Sequence, residues 1–170
     1  RANASHEHEV QPGMVYISNP TEVGTLYNKE ELTDISAACY ELGLYLFVDG
    51  ARMAYGLTSP ANDLSLQDYA ALCDVFYLGG TKCGALFGEA MVIVNPALKP
   101  FFRNSMKQAG TLLAKGWLLG IQFATLFEGG RYFEYVVPSE GFWRQEGRQN
   151  STVRIKRMPS LSRSSVCRIS

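Results

Sequence analysis
Apolar and polar positions fall into short alternating blocks along the first hundred residues. The run GMVYIS, residues 13–18, predicts a buried strand. A Pro- and Gly-punctuated loop follows from Asn19 to Thr25. Leu32, Ile35, Cys39 and Leu42 then recur at helical spacing. Asn28 and Glu31 have the spacing of a capping box at the helix start, and Gly43 stops it. The run LYLFV, 44–48, is apolar on both faces, as in a parallel sheet covered by helices. Residues 13–48 therefore predict a β-α-β unit with a right-handed crossover.

The same pattern continues. Met53 to Leu57 is helix-like, and Ser65 with Asp68 opens another short helix to about Cys73. Val75 to Leu78 and Ala90 to Val94 are the third and fourth strands. The segment from Lys82 to Glu89 leaves no room for a crossover helix, so the fourth strand is expected to run antiparallel to the third. Asn95 and Pro96 open a further helix that Pro100 interrupts. A long helix is expected from about Met106 to Phe127, ended by Gly129 and Gly130. Its apolar positions Leu112, Leu113, Leu119, Phe123 and Leu126 suit core or subunit packing. The fold class is α/β: a mostly parallel sheet with one antiparallel strand and helices on both faces.

Beyond about Tyr135 the periodicity fades. Residues 138–170 carry six arginines and seven serines. Two domains of character result: an ordered region, 1–133, and a basic Ser/Arg-rich tail, 134–170. The tail is open to three readings, namely contact with an acidic surface or nucleic acid, a disordered terminus, or a frameshifted, non-native end. The last is preferred because the periodicity is lost abruptly.

Composition narrows the function classes. The chain's 170 residues are enough for one domain with a core, and 46% hydrophobic content is ordinary for a globular protein. Sixteen basic and sixteen acidic residues balance, so net charge implies no nucleic acid or other polyelectrolyte partner. Cys39, Cys73, Cys83 and Cys167 form no CxxC pair, and the first two sit in helix-like segments as small core residues. A reducing, cytoplasmic setting is expected. No apolar run reaches membrane-spanning length, and the polar start RANASHEHE is no signal peptide. The chain lacks an initiator methionine, so a partial chain is expected.

Candidate chemistry collects at two strand ends. One strand ends on Asp49-Gly50-Ala51-Arg52, the next on Gly79-Gly80-Thr81-Lys82. Ligands of open α/β sheets sit at the carboxyl ends of parallel strands. Asp49 serves either a site or a turn cap. Lys82 lies among small residues, in a tight turn that lets backbone approach a ligand. Neither a Walker A spacing nor GxGxxG is present. His6, His8 and two nearby glutamates have no second cluster in sequence, so no metal is expected.

The paired motifs VDGAR and FYLGGTKCGALFGEA, with SNPTEVGTLYN upstream, resemble the threonine aldolase branch of the fold-type I, aspartate-aminotransferase-like enzymes that use pyridoxal 5′-phosphate (PLP). The resemblance covers residue 8 to about 133. It implies the carboxyl-terminal half of a PLP-binding large domain. Lys82 would form the Schiff base with the cofactor, and Asp49 would pair with the pyridine nitrogen and keep it protonated. Arg52 would lie near the phenolic oxygen, and Thr81 would reach the phosphate or shape the turn. His8 would handle the substrate hydroxyl or aldehyde. The implied reaction cleaves a β-hydroxy-α-amino acid such as threonine to glycine and an aldehyde. β-Elimination and transamination use the same Asp and Lys and stay open, as does an inactive fragment or scaffold of this fold. A small amino-acid substrate and a homodimer or homotetramer are implied. The phosphate-binding turn, the ring-stacking group and the arginine for the substrate carboxylate are expected outside this chain.

Overall fold
The structure is a computed structural model, and it describes residues 11–134, 136 and 154–155. Five strands form one sheet: β1 (Met14–Ser18), β2 (Tyr45–Asp49), β3 (Val75–Leu78), β4 (Ala90–Ile93) and β5 (Arg154–Ile155). Their order across the sheet is β4-β3-β2-β1-β5. β1, β2 and β3 are parallel, and β4 runs antiparallel to β3 as its short connection requires. β5 adds a second antiparallel pairing at the far edge, against Val15 and Tyr16. Apart from Arg154 and Ile155, the expected tail character beyond Glu134 concerns residues that, with the exception of Val136, lie outside the described ones.

Local chemistry accounts for the first helices. α1 (Lys29–Leu42) begins at Asn28, whose side chain accepts from the Glu31 N–H while Glu31 accepts from the Asn28 N–H. α2 spans Met53–Thr58. α3 (Leu66–Leu72) repeats the capping box with Ser65 and Asp68. Register divides the sheet residues between two faces. Val15, Ile17, Leu46, Val48, Phe76 and Leu78 share one face and form the core with Leu32 and Cys39 of α1 and Tyr69 of α3. The other face carries an aromatic row: Tyr16 stacks on Phe47 at 5.2 Å, and Phe47 meets Tyr77 edge-on at 5.0 Å. Asp49 shares the parity of Phe47, so it belongs to this second face.

The Lys29 ammonium joins α1 to α3 by an ion pair with Asp68, 2.7 Å apart. This bond, with help from Ser65, pulls the Asp68 carboxyl down to about 2. A depressed carboxyl stabilises the fold above its unfolded value of about 3.9, and that contribution is lost as pH falls toward about 2. In Lys29→Met, the NMR titration midpoint of Asp68 should move up toward the ordinary carboxylate range. An unchanged midpoint would assign the shift to Ser65 alone.

The second half departs from expectation. Asn95 and Pro96 open only a 3₁₀ turn, Pro96–Leu98, because Pro100 follows too closely for a full helix. The single helix expected over 106–127 is two: α4 (Phe102–Gln108) and α5 (Trp117–Phe127). Gly110 breaks it, at φ +73°, a left-handed geometry that closes α4 instead of continuing it. Of the expected apolar stripe, Leu126 is buried, whereas Leu113 is 54% exposed. After a turn at Glu128–Gly130, α6 (Arg131–Glu134) brings Tyr132 into a second cluster with Ala54, Cys83, Leu126 and Val136. This cluster joins α2, α5 and α6 to the turn that contains Cys83.

Candidate active site
Two loops leave the carboxyl ends of β2 and β3 side by side. The Gly79 N–H donates to the Gly50 carbonyl at 2.9 Å, and the Cys83 thiol lies 3.9 Å from the Ala51 carbonyl. A Cβ on Gly79 would collide with the Ala51 carbonyl, and one on Gly80 with the Gly88 carbonyl. Glycine is therefore required for this approach. The consequence is spatial: the turn carrying Thr81 and Lys82 rests against the segment carrying Asp49 and Arg52.

Asp49 is the last residue of β2, one position inside the strand rather than after it. Both its carboxylate oxygens are occupied. Oδ1 accepts from the Ala51 N–H at 2.9 Å, and Oδ2 accepts from the Tyr16 hydroxyl across the sheet. Burial pushes the Tyr16 phenol up, and the bond to Asp49 adds to the effect, so Tyr16 stays a donor at neutral pH. Arg52 is half-buried and caps α2 by its backbone position without a side-chain capping bond. Lys82 is exposed in its turn, and among the described residues it forms no ion pair. The Thr81 hydroxyl lies 3.4 Å from Glu89 Oε1, which fits the turn-shaping alternative. His8 lies outside the described residues.

Sequence reasoning missed four residues here. Tyr16 reaches Asp49 from 33 positions away. Asn19 is fully buried beyond β1; its amide donates to the Tyr69 hydroxyl at 2.7 Å and its carbonyl accepts from Tyr27 N–H, fixing the loop after β1. Glu89 accepts from the Gly80 N–H at 2.6 Å, and Tyr132 donates to the Gly79 carbonyl at 2.8 Å. Glu89 left one signal, as the only acid between Lys82 and β4. Cys39, Cys73 and Cys83 are buried free thiols; burial pushes Cys73 up to about 12, so it is a core residue rather than a nucleophile. Among the described residues, no group of three or more His, Cys, Asp or Glu is arranged to hold a metal, and no helix is long and apolar enough to cross a membrane.

The site's relatives are known. The beta-eliminating lyase family model matches residues 1–142. Over 128 residues the chain is 38% identical to the low specificity L-threonine aldolase of Pseudomonas sp. (strain NCIMB 10558), covering 75% of this chain and 37% of that protein. The Pseudomonas aeruginosa low specificity L-threonine aldolase is 36% identical with the same coverage. Among solved structures, Leishmania major threonine aldolase superposes with a TM-score of 0.74 at 61% identity, over 76% of this chain and 38% of that one. The chain thus spans little more than a third of the length of these relatives. On a family match that runs through both strand-end motifs and most of the chain, this protein belongs to the beta-eliminating lyase family.

Proposed function
We propose that the chain forms part of a PLP-dependent lyase that cleaves a threonine-type β-hydroxy-α-amino acid to glycine and an aldehyde. The observation that carries this reading is the seating of the Lys82 turn on the Asp49 segment through the Gly79–Gly50 hydrogen bond. The donor set fits the cofactor. Two protein donors fix the Asp49 carboxylate, and a carboxylate has lone-pair capacity left for a third, such as a protonated ring nitrogen. Lys82 offers an exposed amine to hold the cofactor covalently, and Arg52 a nearby cation for its phenolic oxygen.

When bound, PLP supplies an electron sink for the charge left on Cα as the Cα–Cβ bond breaks. The chain's own residues do the rest. Asp49 orients the ring and keeps its nitrogen protonated, while Tyr16 and the Ala51 N–H keep Asp49 from rotating away. His8 is the proposed acceptor of the substrate hydroxyl proton. Thr81 shapes the turn. The aldolase names of the relatives favour carbon–carbon cleavage, and the family description keeps β-elimination as the second reading. A cytoplasmic homo-oligomer suits the buried free thiols and the apolar surface of α5, where Trp117 is 60% and Ile121 54% exposed.

The test is product identity. Supplied with PLP and L-threonine, the longer protein of which this chain forms part should release glycine and acetaldehyde. Release of a 2-oxo acid and ammonia in their place would establish β-elimination, and no product from any β-hydroxy amino acid would refute the lyase reading. Asp49→Asn should keep the fold and cut turnover about 100-fold or more, the scale of losing one preorganised electrostatic group. Turnover near wild type in Asp49→Asn would remove Asp49 from the site.

A further inference from the structure
The backbone around Gly79 and Gly80 is buried, so each of its polar groups needs a partner. The Gly79 N–H goes to Gly50, and the Gly80 carbonyl accepts from the Cys83 and Ala85 N–H groups at 2.8 and 3.0 Å. The loops supply these partners themselves. The remaining two are met by side chains: the Gly79 carbonyl is held by Tyr132 of α6, and the Gly80 N–H by Glu89, at the far end of the same connection just before β4. Resting on the assignment of Lys82 as the cofactor-holding amine, we propose that Glu89 and Tyr132 are positioning residues for Lys82, gripping the two peptide groups that lead into its turn.

Each grip has the construction of a fixed support. Glu89 makes a short, charge-assisted bond to Gly80, and its other oxygen engages the Thr81 hydroxyl, so one carboxylate holds two successive residues. Tyr132 is fully buried and packs on Phe127, ring centroids 4.8 Å apart, and edge-on against Phe133 at 5.2 Å. Packing thus sets where its hydroxyl points. Burial and the neighbouring Cys83 push the Tyr132 phenol up, which keeps it a donor. Lys82 carries its amine on a flexible four-carbon stem, so the placement of its backbone decides how often the amine meets the cofactor aldehyde.

The experiment adds PLP to cofactor-free protein, follows the rise of visible absorbance, traps the product with borohydride and maps the modified lysine by peptide mass spectrometry. Hydrogen exchange of the Gly80 amide is read in parallel. Wild type should be modified at Lys82. Glu89→Ala should form the bond about tenfold more slowly, the scale of one lost charge-assisted hydrogen bond, with faster Gly80 exchange. Glu89→Gln keeps an acceptor oxygen and should stay within about threefold of wild type. Tyr132→Phe keeps the ring packing, loses only the donor, and should also slow the bond several-fold. Thermal midpoints of all variants separate these effects from unfolding. A wild-type rate in both Glu89→Ala and Tyr132→Phe overturns the proposal, as does a Glu89→Gln defect equal to that of Glu89→Ala. Wild-type modification at a lysine other than Lys82 overturns the Lys82 assignment instead, and Gly80 exchange then still reports whether Glu89 grips the turn.

Discussion

Lys82→Ala is expected to abolish the protein-bound absorbance band that added PLP develops and to lower turnover at least about 1,000-fold, the scale seen when the residue that bonds covalently to the reacting group is removed. The fold should survive. Lys82 is exposed and among the described residues has no ion pair, so its removal should change stability by no more than about 0.5 kcal/mol. Those two results together separate a cofactor-holding amine from a structural lysine. Circular dichroism and absorbance on the same sample check both. Retained absorbance with a wild-type melting curve would place the amine elsewhere and leave Lys82 a surface charge.

Gly79→Ala should be among the most damaging single methyl additions in the described region. Its Cβ would run into the Ala51 carbonyl and sit 2.8 Å from the Gly50 carbonyl oxygen. Both neighbours are backbone, so no side chain can swing aside. Relief requires the loops after β2 and β3 to part, which breaks the 2.9 Å bond from Gly79 N–H to Gly50. Overpacking of this kind costs about 3 kcal/mol, and the lost hydrogen bond adds to it. Protein that remains folded should also bind PLP poorly, because Lys82 lies on one of the loops that have moved apart and Asp49 ends the strand that leads into the other. Urea denaturation provides the check, with Gly13→Ala as the control: nothing lies within 4 Å of a Cβ there, so it should be neutral to within about 1 kcal/mol. Equal midpoints for the two variants would disprove the close approach.

The parts of the fold that were legible share a short range. Asn28 with Glu31 and Ser65 with Asp68 are three positions apart, and both formed the capping boxes their spacing implied. The antiparallel β4 was legible because chain length forbade a crossover. The strand-end motifs of Asp49 and Lys82 were visible because small residues mark them. The break of the 106–127 helix was not, since apolar periodicity continues across Gly110 and a lone glycine inside a helix costs only about 1 kcal/mol. Nor does periodicity distinguish a buried apolar position from an open one: Leu126 and Ile121 belong to the same helix and differ in exposure, 6% against 54%.

Local chemistry alone was enough to place the starts of α1, α2 and α3, three parallel strands and the two strand ends that carry the candidate chemistry. It also identified the residue types, a carboxylate and an amine, that those strand ends and the turn after β3 present. The grips on these groups came from folding. Tyr16 reaches Asp49 across 33 positions, and Tyr132 reaches Gly79 across 53. Glu89 reaches Gly80 over nine, but only because β4 turns back beside β3. Contacts of this kind depend on sheet register and on the seating of α6, which emerge from packing the whole core. No short stretch of residues carries that information, because the energy that selects one register is spread over side chains distant in the chain.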